Sequence, residues 1–96
     1  MYAITSTSYR AISSAADAQP GETAVDTLPT SLLTTLHAAE IRGQRDSLIA
    51  TCDWTQAADS PLDAATKAAW ATYRTELRNV PEQMGFPVVI DWPIAP

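Results

Sequence analysis

Cysteine and histidine are nearly absent. Cys52 stands alone, so no intramolecular disulfide forms and the redox compartment stays open. His37 is the one imidazole. On a continuous helix the two lie about 22 Å apart at 1.5 Å per residue, beyond the hydrogen-bond reach of a nucleophile–base dyad; only a chain reversal at Gly43 would join them. One His, one Cys and scattered carboxylates supply no zinc spacing and no calcium loop. Asp53, Asp59 and Asp63 have no glycine turn among them and read as turn and cap residues. With only Gly21, Gly43 and Gly85 in the chain, no phosphate-cradling loop exists. These gaps point to a protein without metal, cofactor or enzymatic activity.

Positive charge is scarce too. Six basic residues face eleven acidic ones, for a net charge of −5, which argues against nucleic acid and anionic membranes as partners. No apolar run approaches the ~20 residues of a membrane span, and Met1–Ser6 lacks the basic start and apolar core of a signal peptide. The expectation is a protein soluble where it is made.

What is present is one domain's worth of chain, 96 residues, with a marginal core. Leu, Ile, Val and Phe together number 18, just under the ~20% level at which disorder becomes a concern. Three tryptophans and three tyrosines must carry much of the burial, at roughly 150–250 Å² each. A domain that gains stability from self-association or a partner is expected.

Residues 1–29 read as a short β/turn region. Tyr2 and Ile4 alternate with small residues, and a second extended piece runs from Tyr9 to Ser13, suggesting a hairpin. Gln19-Pro20-Gly21-Glu22 predicts a type II turn, with proline fixing φ and glycine taking positive φ; Thr23–Val25 can return as a third strand. Residues 30–96 read as a helical hairpin with an extended tail, the whole forming a single compact unit. The first helix is predicted over 31–52, with Leu33, His37, Ile41, Leu48 and Cys52 on one stripe that keeps its phase across Gly43. The second is predicted over 64–79, capped by Asp63, with Arg74 and Arg78 near its negative end. Trp70, Tyr73, Leu77 and Val80 form its apolar seam. Pro81 stops it. In the tail, residues 81–96, four prolines favour extended geometry, while Phe86, Val88, Ile90 and Trp92 alternate as in a strand. The tail either packs back across the helices or offers an edge to another chain. The fold class is therefore α+β: a small N-terminal β-hairpin or meander, an antiparallel αα-hairpin and an extended proline-rich tail.

The core is assigned to Leu48, Trp70, Tyr73 and Leu77. Lys67, Arg74 and Arg78 share one side of the second helix. They form either a solvated face or a docking strip, since Arg, Trp and Tyr dominate interface hot spots. With Trp54, Phe86 and Trp92 they make up the candidate partner-binding set.

From about residue 45 to 96 the sequence resembles the phage tail assembly chaperone family. The resemblance is carried by Arg45-Asp46-Ser47-Leu48-Ile49-Ala50, Cys52-Asp53-Trp54-Thr55-Gln56 and Ser60-Pro61-Leu62. It continues through Ala68-Ala69-Trp70-Ala71-Thr72-Tyr73-Arg74, Leu77-Arg78-Asn79-Val80-Pro81, Gly85-Phe86-Pro87 and Trp92-Pro93. Residues 1–29 are more loosely similar to the N-terminal parts of tail-fibre assembly proteins. Ala57-Ala58 departs from similar sequences, which commonly carry a bulkier apolar residue there. The resemblance implies a non-enzymatic phage protein that assists assembly of a tail or tail-fibre subunit in the host cytoplasm. Alternatives are a permanent accessory of the virion tail or baseplate and a phage-encoded regulator of a host protein; a second copy of this chain, as a homo-oligomer, is a further candidate partner.

Overall fold

The computed structural model describes residues 1–96, which fall into two compact units, Met1–His37 and Ala38–Pro96. In the first unit, strands β1 (Tyr2–Ile4), β2 (Tyr9–Ala11) and β3 (Thr23–Val25) form an antiparallel sheet in the order β2-β1-β3. Ala3, the buried centre of β1, pairs with Arg10 on one side and Ala24 on the other. The β1–β2 connection is closed by the Thr5 N–H donating to the Ser8 carbonyl at 2.9 Å and by their two hydroxyls at 2.7 Å. The expected turn forms before β3: Gly21 takes φ of 87°, and the Glu22 N–H reaches the Gln19 carbonyl at 2.9 Å.

Three-residue strands cannot hold a sheet by themselves. Here a polar brace ties them. Arg10, on edge strand β2, grips Glu22 with both arms of its guanidinium, Nε to Oε2 at 3.0 Å and Nη2 to Oε1 at 2.7 Å. The same Nη2 donates to the Asp17 carbonyl at 2.8 Å. Asp17 in turn accepts from the Ser13 and Ser14 N–H groups. Arg10, together with the Gln19 N–H, holds the Glu22 carboxyl down at about 2.

Helix α1 (Thr30–Thr51) starts in the first unit and runs unbroken through Gly43, where added side-chain atoms would meet nothing within 4 Å. The single apolar stripe expected along it does not hold. In the first unit α1 buries Leu32, leaving Leu33 44% exposed and His37 exposed. In the second unit the inward positions are Ala38, Ile41, Arg45, Ile49 and Cys52, a 3-4-4-3 spacing that leaves Leu48 at the edge of the face. Leu48, assigned to the core from its sequence, is 37% exposed.

After a 3₁₀ turn over Asp53–Gln56, Asp63 caps helix α2 (Ala64–Arg78) by accepting the Thr66 N–H at 2.7 Å. The two helices make a hairpin whose core is Cys52, Tyr73 and Leu77, with Ile49, Trp70 and Trp92 partly buried against it. Trp70 and Tyr73 meet edge-to-face, centroids 5.7 Å apart, the arrangement that ring quadrupoles favour. Val80, the last residue of the seam, is fully buried.

The tail is extended only from Ile90 onward. Val80–Glu82 forms a 3₁₀ turn with Pro81 inside it. A second turn follows, in which the Val88 and Val89 N–H groups both donate to the Gly85 carbonyl at 2.9 Å; the Phe86–Pro87 peptide within it is cis. Glycine is required at its first corner, because a Cβ on Gly85 would lie 2.7 Å from the Val89 carbonyl oxygen. The fold is thus α+β: a three-stranded sheet, then a helical hairpin with a tail.

Two predictions come from this frame. Because the Glu22 carboxyl titrates lower folded than unfolded, its contribution is fully present above about pH 4.5 and is lost as pH falls through about 2. An NMR titration should show the Glu22 carboxyl protonating lower in the native chain than in Arg10→Ala, where only the Gln19 N–H still holds it down. Urea unfolding should separate the two substituted glycines: Gly43→Ala stabilises by about 1 kcal/mol, whereas Gly85→Ala destabilises by about 1–3 kcal/mol.

Candidate interaction surface

Every α-helix ends in carbonyls without an intrahelical partner, at the negative pole of its dipole. Helix α1 has no basic residue in its last turn. The charge comes from α2: Arg74, only 8% exposed, sends Nη1 to the Ile49 carbonyl at 3.0 Å and to the Cys52 Sγ at 3.3 Å, and Nη2 to Asp53 Oδ1 at 2.8 Å. Asp53 and Cys52 raise the guanidinium pKa above its already high value, so Arg74 stays charged. Two further carbonyls near this helix end have local partners. The Thr51 hydroxyl donates to the Leu48 carbonyl at 2.7 Å. The fully buried Thr55 donates through its hydroxyl to the Cys52 carbonyl at 2.6 Å.

The same face of α2 holds the connection. Lys67 Nζ donates to the Ala57 carbonyl at 2.8 Å, and Gln56 Nε2 donates to the Lys67 carbonyl at 3.0 Å. Lys67 and Arg74 share a side of α2 because both reach back to the chain that joins the helices. Arg78, beyond that reach, is exposed and in no ion pair.

The tail is tethered at three places. Arg42 of α1 lies 5.1 Å over the Phe86 ring, a cation–π contact. The Gln83 side-chain amide forms a two-way pair with the Asp91 backbone, donating to its carbonyl at 2.8 Å and accepting its N–H at 2.9 Å. Trp92 packs partly buried against the Cys52–Tyr73–Leu77 cluster. With Phe86 and Trp92 drawn inward, their neighbours face solvent. Val88 is 75% and Val89 68% exposed, Ile94 is 92% exposed, and Met84 is fully exposed. Trp54, in the helix connection, is 53% exposed.

Among the residues singled out from sequence, Tyr73 and Leu77 lie in the buried cluster and Trp70 at its margin. Arg74 does not lie on an open docking strip: its donors are spent inside, on the end of α1. Lys67 is committed to Ala57. Phe86 and Trp92 are half-buried, while Trp54 and Arg78 remain open. Sequence reasoning missed the exposed apolar group of Met84, Val88, Val89 and Ile94. Gly85, three residues after the Val80–Glu82 turn, was the signal that the strand-like alternation breaks there. No three His, Cys, Asp or Glu side chains gather as a metal site, and no helix is long and apolar enough to cross a membrane.

The geometry defines a small α+β protein whose second unit spends its polar side chains on tethering backbone and presents apolar ones to solvent. Residues 38–96 match the phage tail assembly chaperone protein family, and this chain belongs to that family. The match begins where the second unit begins. No curated protein and no solved structure matches the chain.

Arg74→Met should destabilise the second unit by about 1.5–3 kcal/mol, because the Ile49 carbonyl loses its charge-assisted donor and keeps only the Cys52 N–H and thiol. The Asp53 contact contributes little of this, since that carboxylate is 64% exposed and screened. Arg74→Lys should restore only part, lacking the fork that serves three acceptors. Urea midpoints of the three chains check both statements.

Proposed function

We propose that this protein is a non-enzymatic tail assembly chaperone that holds a tail or tail-fibre subunit through the apolar side chains of its C-terminal segment. Family membership supports the role. The observation that carries the surface is the exposure of Met84, Val88, Val89 and Ile94 within one short, tethered stretch. Small soluble proteins rarely leave such side chains together in water unless a partner covers them. Trp54 and Arg78 are further open contacts of the hot-spot kind. Tail and fibre subunits expose unpaired strands and apolar assembly surfaces before they join, and such surfaces aggregate. A chain with net charge −5 covering them keeps the pair soluble. The setting for this work is the host cytoplasm during assembly.

The test is co-expression with the tail and fibre proteins of the same phage, followed by co-purification. Val88→Ser, Val89→Ser and Ile94→Ser combined should leave the melting temperature nearly unchanged, because these side chains pack against little. Affinity for the captured subunit should fall by about a hundredfold or more. Undiminished capture by the triple variant would overturn this surface. Stoichiometric presence in purified virions, read by mass spectrometry, would replace transient assistance with a permanent place in the tail.

A further inference from the structure

Beside the exposed segment, a groove lies at the C-terminal end of α2, lined by Glu76, Asn79, Gln83, Asp91, Trp92 and Ile94, with Pro93. Its electrostatics are of one sign. Glu76 and Asp91 take part in no ion pair, no basic side chain lines the groove, and the end of α2 adds the negative pole of a helix dipole. Its apolar wall is equally definite. Trp92 packs against the Cys52–Tyr73–Leu77 cluster while also lining the groove, and Ile94 is almost wholly exposed. The Gln83 amide engages the Asp91 backbone and not its carboxylate. That pairing fixes the backbone under the carboxylate and leaves the carboxylate itself for another cation.

The geometry points to a partner segment that carries arginine or lysine between apolar residues, its cation seated between Glu76 and Asp91 and its apolar neighbours against Trp92 and Ile94. This rests on the chaperone reading and specifies what the bound subunit presents. Two carboxylates lining one groove with an apolar wall reward a positively charged, extended segment and penalise an acidic one, since like charges brought together cost affinity. An indole lining the same groove as two carboxylates also suits a guanidinium, which stacks on aromatic rings and forks onto carboxylates.

The probe is a short fluorescent peptide alternating leucine with arginine, titrated into the full chain and followed by anisotropy. It should bind, weaken as salt rises, and shift the NMR signals of Glu76, Asp91 and Trp92. Glu76→Gln with Asp91→Asn should weaken it about tenfold with melting unchanged. Equal binding of a leucine–glutamate peptide, no binding of the arginine peptide, or indifference to the double variant would each overturn the assignment. So would a dimer that the double variant turns to monomer, because the occupant would then be a second copy. If the double variant captures the tail subunit as well as the native chain does, the groove is not the subunit's seat and the chaperone reading stands. If the native chain captures no tail or fibre protein yet binds the arginine peptide, the chaperone reading falls and the cation-binding groove stands.

Discussion

The second unit depends on one side chain reaching from one helix to the end of another. A helix terminus buried without partners for its carbonyls is costly, and α1 carries nothing cationic in its own last turn. Arg74 brings a cation from α2 to that end, donating to the Ile49 carbonyl, the Cys52 Sγ and the Asp53 carboxylate. These contacts fix where α1 stops and set α2 against that end. They also explain Cys52. Its thiol, buried beside the guanidinium, donates to the Leu48 and Ile49 carbonyls at 3.4 and 3.3 Å, and its chemistry is that of a small polarizable filler. A buried arginine is tolerable because these contacts compensate its desolvation.

Features encoded over a few residues were legible in the sequence. Gln19-Pro20-Gly21-Glu22 needs no tertiary knowledge to be a turn, and Asp63 before an alanine-rich run needs none to be a cap. The continuity of α1 through Gly43 was legible as well, since one glycine costs about 1 kcal/mol and helical neighbours absorb it. Arg74 was different. Its spacing from Lys67 and Arg78 placed the three on one side of α2 correctly, but the direction of that side depends on where the chain before Asp63 lies. The acceptors are the carbonyls of Ile49 and Ala57, groups that every residue carries and no sequence pattern marks. Leu48 was obscured for a related reason: an inward face phased on Ile41, Ile49 and Cys52 leaves it at the rim.

The tail shows how one backbone feature reassigns a whole set of side chains. Alternation of Phe86, Val88, Ile90 and Trp92 has meaning only if the chain stays extended, because side-chain direction then flips at each residue. The turn at Gly85–Val89 abolishes that period. What replaces it is a division of labour: Phe86 lies beneath Arg42 and Trp92 packs on the helical core, while Met84, Val88, Val89 and Ile94 project into water. The proline-rich composition was read as extended backbone, which holds only from Ile90 onward, and composition does not say which residues a turn faces outward.

In so small a chain, stability and docking compete for the same apolar side chains. Burying Val88, Val89 and Ile94 would stabilise the fold by roughly 1.5–3 kcal/mol each, yet it would remove the surface proposed for the partner. Polar tethers relieve that competition. Gln83 on Asp91, Lys67 on Ala57, Gln56 on Lys67 and Arg74 on Ile49 all hold backbone in place without using an aliphatic side chain. The first unit follows the same logic, with Arg10 clamped on Glu22 and Asp17 across strands too short to support a core. A frame fixed by side chain-to-backbone bonds can leave its aliphatic residues exposed and still be ordered, so the surface proposed for a partner is preorganised and covering it would cost little conformational entropy.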